Sequence, residues 1–173
     1  FYDSDLGLAS IQLLEAFGYQ VVLEDVGCCG RTNISVGRLG AARKDIEQTA
    51  PALEELRERH SAVGIVALEP SCASAMQEDW AELKTDVPAS TAQTLAAHTA
   101  NLESFLLHRW DQHPQRPDFA PDQRPVMVHT HCHAKHEGPV AAELLRKIGF
   151  LVTAVDSGCC GLAGSFGYRA ECD

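Results

Sequence analysis

The chain has 173 residues, 45% apolar and 22% charged, enough hydrophobic material for one domain or two small halves and far from the composition of a disordered segment. A net charge of −10 with 14 Lys and Arg removes the electrostatic basis for binding nucleic acid. The longest uninterrupted apolar run, seven residues from Ala62 to Leu68, is far short of the roughly 20 that a membrane helix needs. No nucleic-acid partner and no direct membrane insertion are expected; a cytoplasmic location is, with any attachment to the inner membrane made through partners.

In chain order, Leu6, Leu8, Ile11, Leu13, Leu14 and Phe17 form a helical stripe, and Gly18 stops it as a C-cap. Val21 to Leu23 is short and β-branched, which predicts a buried strand running out at Asp25. Helical patterning returns from Val36 to His60, with a break or kink expected at Pro51. A second strand is predicted over Gly64 to Leu68, a helix over Thr91 to Trp110, and a linker over Gln112 to Pro125, which holds four prolines. Then come a strand at Val126 to His129, a helix at Val140 to Ile148 stopped by Gly149, and a strand at Leu151 to Val155.

Two of these stretches are copies. Residues 13–30 and 144–161 align without a gap at an offset of 131, matching Leu13/Leu144, Leu14/Leu145, Gly18/Gly149, Val21/Val152, Asp25/Asp156 and a shared Gly-Cys-Cys-Gly; Gly7 and Gly138 fall into the same register. The fold expected is α/β, two pseudo-repeated small modules with mainly parallel strands and the CCG loops at strand C-terminal ends. The expected boundaries are 1–90 for the first module, 91–124 for a connecting helix and Pro-rich linker, and 125–173 for the second. A start at Phe1 and an end just after a glycine-rich loop read as a fragment, truncated at both ends.

Seven cysteines are the unusual feature, four of them in the adjacent pairs Cys28-Cys29 and Cys159-Cys160. Neighbouring cysteines bond to each other only under strain, so a secreted disulfide framework is disfavoured and thiolate chemistry in a reducing compartment fits better. Every cysteine except Cys172 follows a predicted strand, where open α/β sheets place their ligand crevice. Soft thiolates at such a site select iron–sulfur clusters, zinc or copper(I), although the C-x₂-C knuckles usual for zinc are missing. The glycines at 158, 161, 164 and 167 allow close approach to a bulky ligand; without a G-x-G opening they make a weak dinucleotide cradle. Cys132 lies in a run with His129, His131, His133 and His136, any of which could sit beside a cluster or simply hold the loop. The alternative throughout is that these thiols are small core hydrophobes.

At the level of motifs, Leu68-Glu69-Pro70-Ser71-Cys72, His129-Thr130-His131-Cys132-His133 and the run from Asp156 to Tyr168 resemble the cysteine-rich CCG domain found in heterodisulfide reductase and in the iron–sulfur subunits of glycolate oxidase and anaerobic glycerol-3-phosphate dehydrogenase. The resemblance is strongest to the C-terminal region of FAD-linked D-2-hydroxyacid dehydrogenases, of the D-lactate or glycolate type. It implies an iron–sulfur electron-transfer domain, of [4Fe-4S] type, passing electrons from a flavin to a downstream acceptor as a component of an oxidoreductase. FAD would sit in a dehydrogenase domain or subunit partner, with a ferredoxin-like iron–sulfur domain as a further partner. The metal ligands implied are Cys28, Cys29 and Cys72 in the first module and Cys132, Cys159 and Cys160 in the second. Glu69, His131 and His133 would stand beside them, and Gly30, Gly161 and Gly164 would shape the cluster loops. Two departures stand out: Phe1 lies opposite Cys132 in the repeat, and Glu69 takes the place of the first cysteine of the family's C-x-x-C. No residue is expected to act as a substrate acid, base or nucleophile. The competing functions are a thiol–disulfide redox module and a metal-free domain that docks a flavoprotein.

Overall fold

The computed structural model describes residues 4–121, 123–155 and 157–158. The chain divides into two compact units, Phe1–Ala120 and Pro121–Asp173, and both are α/β.

In the first unit α1 spans Ser4–Ala16, and the short α2, Arg31–Ser35, leads into the long α3, Leu39–Arg59. The break expected at Pro51 does not occur. Ile46 and Ala50 on one side of the proline are buried and Leu53 on the other packs against the same core, so tertiary contacts hold α3 together across the missing donor. After β1, Ile65–Ala67, come α4, Pro70–Ser74, a π-helical turn at Ala75–Asp79 and α5, Trp80–Glu82. The helix expected from Thr91 to Trp110 is in fact three elements: α6 at Ala89–His98, β2 at Thr99–Asn101 and α7 at Leu102–His108. Thr99 and Asn101 are buried, the Thr99 hydroxyl donates to the Leu95 carbonyl, and the strand pairs in parallel with β1 in the register Ile65↔Thr99. The apolar stripe continues through both helices, which hides the interruption from a periodicity reading. The core of this unit is Ile46, Ala50, Met76, Trp80 and Leu95. A second contact zone joins Phe17, Tyr19, Phe105, Trp110, His113 and Phe119, with Tyr19 Oη 2.8 Å from His113 Nδ1 and His113 Nε2 2.8 Å from the Leu106 carbonyl oxygen.

The strand expected at Val21–Leu23 does not form: this stretch pairs with nothing in a ladder among the described residues.

The second unit holds β3, Val126–His129, a 3-10 turn at Cys132–Glu137, α8, Val140–Lys147, and β4, Val152–Val155. β3 and β4 are parallel, from Val126↔Val152 to His129↔Val155, with α8 as the crossover.

The internal repeat is visible in the backbone. Both α1 and α8 end in the same double cap: Tyr19 N donates to Leu14 O and Gly18 N to Glu15 O, as Phe150 N does to Leu145 O and Gly149 N to Arg146 O. Gly18 and Gly149 have φ of 85° and 101°, and each leaves no room for a side chain against a proline, Pro114 in one unit and Pro121 in the other. Proline and glycine at these points are therefore parts of one joint, used twice.

Candidate functional site

In the first unit the loop from Gly27 to Gly30 carries Cys28 and Cys29, and α4 carries Cys72. The loop is fastened to the core by its own carbonyls: Trp80 Nε1 donates to Cys29 O and Thr49 Oγ1 to Cys28 O, both at 2.9 Å. Gly30 has φ 80°, and a Cβ there would meet Ala42 O at 3.2 Å; the loop lies flat on α3 because the residue after the cysteine pair has no side chain. Arg31 and Asp79, 2.7 Å apart, tie the start of α2 to the π-helical turn.

This anchoring brings Cys29 Sγ to 2.8 Å from Cys72 Sγ, well beyond the ~2.05 Å of a disulfide bond. Cys28 Sγ accepts a hydrogen bond from Gly30 N at 3.4 Å. Two sulfurs this close cannot both be ionised, so they share a proton. The hydrogen bond from Cys72 lowers the pKa of Cys29 to about 6, against the opposing effect of burial, while Cys72, donating that bond, is pushed up. One thiolate is thus available near neutral pH, which is the form that binds metal or attacks a disulfide.

Glu69 is the N-cap of α4. Its Oε1 accepts from Ser71 N at 3.3 Å and from Ser71 Oγ at 2.9 Å, and its carbonyl accepts from Cys72 N at 2.9 Å. Glu69 thus orients the turn that carries Cys72.

In the second unit Cys132 is exposed and begins the 3-10 turn. His131 Nδ1 accepts from His133 N at 3.2 Å, and the two imidazoles stack with centroids 5.6 Å apart, so both are engaged in shaping that turn. Lys135 Nζ donates to Ser157 O at 2.8 Å and Gly158 O at 3.1 Å, and His129 Nε2 lies 3.4 Å from Gly158 O. Cys159, Cys160, Gly161 and Gly164 lie outside the described residues. Among the described residues no group of three or more His, Cys, Asp or Glu side chains is arranged to hold a metal ion.

Sequence reasoning did not point to Trp80, Thr49, Arg31 or Asp79. Trp80 acts from 51 residues away, which no local motif announces. The glycines at 27 and 30 bracketing the cysteines were the available signal that this loop presses on something.

The donor chemistry of Cys28, Cys29 and Cys72 fits a soft metal: thiols, one already poised as thiolate, with a backbone N–H aimed at sulfur. Three sulfurs are one short of a four-thiolate set, and Cys29 and Cys72 must rotate apart to bind separate positions.

The chain is similar to a subunit of the anaerobic glycerol-3-phosphate dehydrogenase of Escherichia coli K12 and to the same subunit from Escherichia coli O157:H7. It is 32% identical to each over an alignment of 173 positions, gaps included, that covers 96% of this chain and 41% of the relative. It therefore spans about two fifths of the length of these curated relatives. No family model and no solved structure matches it. No helix among the described residues is long and apolar enough to cross a membrane.

Proposed function

We propose that this chain is an iron–sulfur electron-transfer domain of a flavin-linked dehydrogenase complex. The observation that carries the reading is the meeting of Cys29 and Cys72, 43 residues apart in sequence, on a loop and a helix pinned to one core, with the Cys28 thiol next in line. The similarity to a dehydrogenase subunit supports it over most of the chain's length.

Bound there, an iron–sulfur centre would supply one-electron transfer between a flavin and a further acceptor. The residues of this chain would hold it. Cys28, Cys29 and Cys72 give three thiolates, Gly30 N–H donates to sulfur, Glu69 fixes the approach of Cys72, and a fourth ligand comes from outside these three. Cys132, Cys159 and Cys160 would form the second site, with His131 and His133 shaping its turn. A [4Fe-4S] type is what the resemblance to the CCG domain implies. The partners would be an FAD-binding dehydrogenase domain or subunit and a ferredoxin-like domain, in a cytoplasmic assembly held to the inner membrane only through those partners. The substrate oxidised at the flavin would be a small hydroxylated acid: the three motifs favour a 2-hydroxyacid, the named relatives glycerol 3-phosphate.

The test is anaerobic purification of the full-length protein with iron, acid-labile sulfide and zinc analysis and EPR of both redox states. Iron with matching sulfide, reduced in Cys29→Ser and Cys72→Ser, is the expected result. Zinc without sulfide, or no metal, overturns it.

A second reading, thiol–disulfide exchange, is favoured by the short Cys29–Cys72 approach and the lowered Cys29 pKa. Its sign would be a reversible two-electron oxidation that removes two free thiols from metal-free protein, leaving iron content at zero.

A further inference from the structure

Three successive peptide units of the Cys28-Cys29 loop repeat one arrangement. The carbonyl of Cys28 accepts from Thr49 Oγ1 at 2.9 Å, that of Cys29 from Trp80 Nε1 at 2.9 Å, and that of Gly30 from Ile34 N at 3.0 Å. The N–H groups at the other ends of these units belong to Cys29, Gly30 and Arg31, and all three face sulfur. Gly30 N donates to Cys28 Sγ at 3.4 Å, while the N–H groups of Cys29 and Arg31 lie toward Cys29 Sγ.

A trans peptide is planar, with its C=O and N–H opposed, so a donor that fixes the oxygen also fixes where the hydrogen points. Accepting a hydrogen bond also polarises the unit and makes its N–H the stronger donor, most of all away from water. Thr49 and Trp80 are both buried. The need to satisfy buried polar groups explains why each carbonyl has a partner. It does not explain why three units in a row turn their hydrogens to the two thiols. Stabilising negative charge on those sulfurs does.

We propose that Thr49 and Trp80 are positioning residues that set the charge held on the Cys28 and Cys29 sulfurs, each acting through one peptide unit. Thr49 acts through the unit between Cys28 and Cys29, and Trp80 through the unit between Cys29 and Gly30. The third unit is held by the backbone of α2 and answers to neither side chain. N–H groups aimed at thiolate sulfur favour the more negative state of a centre held there, so they raise its reduction potential. That consequence rests on the iron–sulfur reading; the relay itself is made of protein groups alone.

Amide resonances of the isotope-labelled, metal-free full-length protein test the relay without a cluster. Trp80→Phe should move the Gly30 amide proton upfield and speed its exchange about tenfold beyond any change shared with Arg31. Thr49→Val should do the same to the Cys29 amide, and Thr49→Ser should restore it. Leu95→Val, in the same core as Trp80, controls for lost packing and should affect the three amides alike. A Gly30 amide that moves only in step with Arg31 in Trp80→Phe overturns the proposal. If Trp80→Phe does not fold, the Thr49 variants decide: a Cys29 amide unmoved in Thr49→Val overturns it equally. In iron-loaded protein the midpoint potential, read by EPR, should fall in Trp80→Phe and Thr49→Val, recover in Thr49→Ser and stay at the wild-type value in Leu95→Val. Unchanged potentials in the first two also overturn it. No iron in any variant would defeat the cluster reading, and the amides would then decide the relay by themselves.

Discussion

The backbone at Cys29 in the first unit and at Ser157 and Gly158 in the second is held by opposite means. In the first, the carbonyl of Cys29 accepts from the indole of Trp80, a side chain 2% exposed at the centre of the core. In the second, the carbonyls of Ser157 and Gly158, just ahead of Cys159, accept from the exposed ammonium of Lys135. One loop is tied to the packing of the whole unit, the approach to the other to a long side chain in water. The backbone at Cys29 and the backbone at Ser157 and Gly158 are therefore anchored in two energetic settings, and perturbations should separate them.

The largest separation should come from Trp80. Trp80→Ala removes a fully buried aromatic and leaves the Cys29 carbonyl without its donor, a loss of about 3–5 kcal/mol for the first unit. Trp80→Phe keeps most of the volume and costs about 1–2 kcal/mol, the share of the hydrogen bond. Denaturant melts followed by hydrogen exchange should show both losses in Ile65–Ala67 and not in Val126–His129. Equal losses in both segments would break the comparison.

Gly30→Ala comes next. A residue at φ 80° with a side chain costs about 1–2 kcal/mol, and its Cβ would also press on Ala42 O at 3.2 Å. The readout is a lower melting midpoint accompanied by a change in the Cys29 environment, visible as faster alkylation of Cys29 in metal-free protein. An alanine tolerated at no cost would mean that the loop is not pressed on α3.

Much of this architecture is legible in the sequence because it is local. β3 falls on the residues expected, α1 and α8 end at the predicted glycines, and β4 starts within one residue of its expected place. What the sequence hides is what depends on distant partners. Val21–Leu23 has the composition of a strand, but a strand exists only when another lies beside it. β2 interrupts an unbroken helical stripe because Thr99 and Asn101 are needed against β1. The linker prolines read as spacers, yet Pro114 locks against Gly18 and His113 is held by Tyr19, which no spacing rule foretells. At the site, the cysteines were evident and their anchors were not.

The shared proton of the first unit gives a pH signature that metal-free protein should display. Below about pH 6 Cys29 and Cys72 are both protonated, folded or not. Above that, folded Cys29 loses its proton while unfolded thiols keep theirs to ~8.5, so the unfolded state binds more protons and stability rises with pH across this window. Beyond ~8.5 the sign reverses, because unfolding then releases the proton that Cys72 retains in the fold. Stability against pH should therefore pass through a maximum in mildly alkaline solution. Cys72→Ser should shift Cys29 alkylation toward the range of ordinary thiols. A flat profile in wild type would mean that the sulfurs do not share a proton.

The smallest effect, and the sharpest test of the contrast, is Lys135→Ala. An exposed ammonium holding two carbonyls competes with water and gives up side-chain entropy, so its removal should cost about 0.5–1 kcal/mol at most. Global stability is thus a poor readout; the loop itself is the right one. Because Lys135 fixes Ser157 and Gly158, its loss should speed alkylation of Cys159 and Cys160 severalfold while leaving Cys29 and Cys72 unchanged, and Lys135→Arg should restore part of the restraint. Were Lys135→Ala instead to cost as much as Trp80→Phe, the second loop would be as firmly built as the first, and the difference between the two units would lie in their surroundings rather than in their anchors.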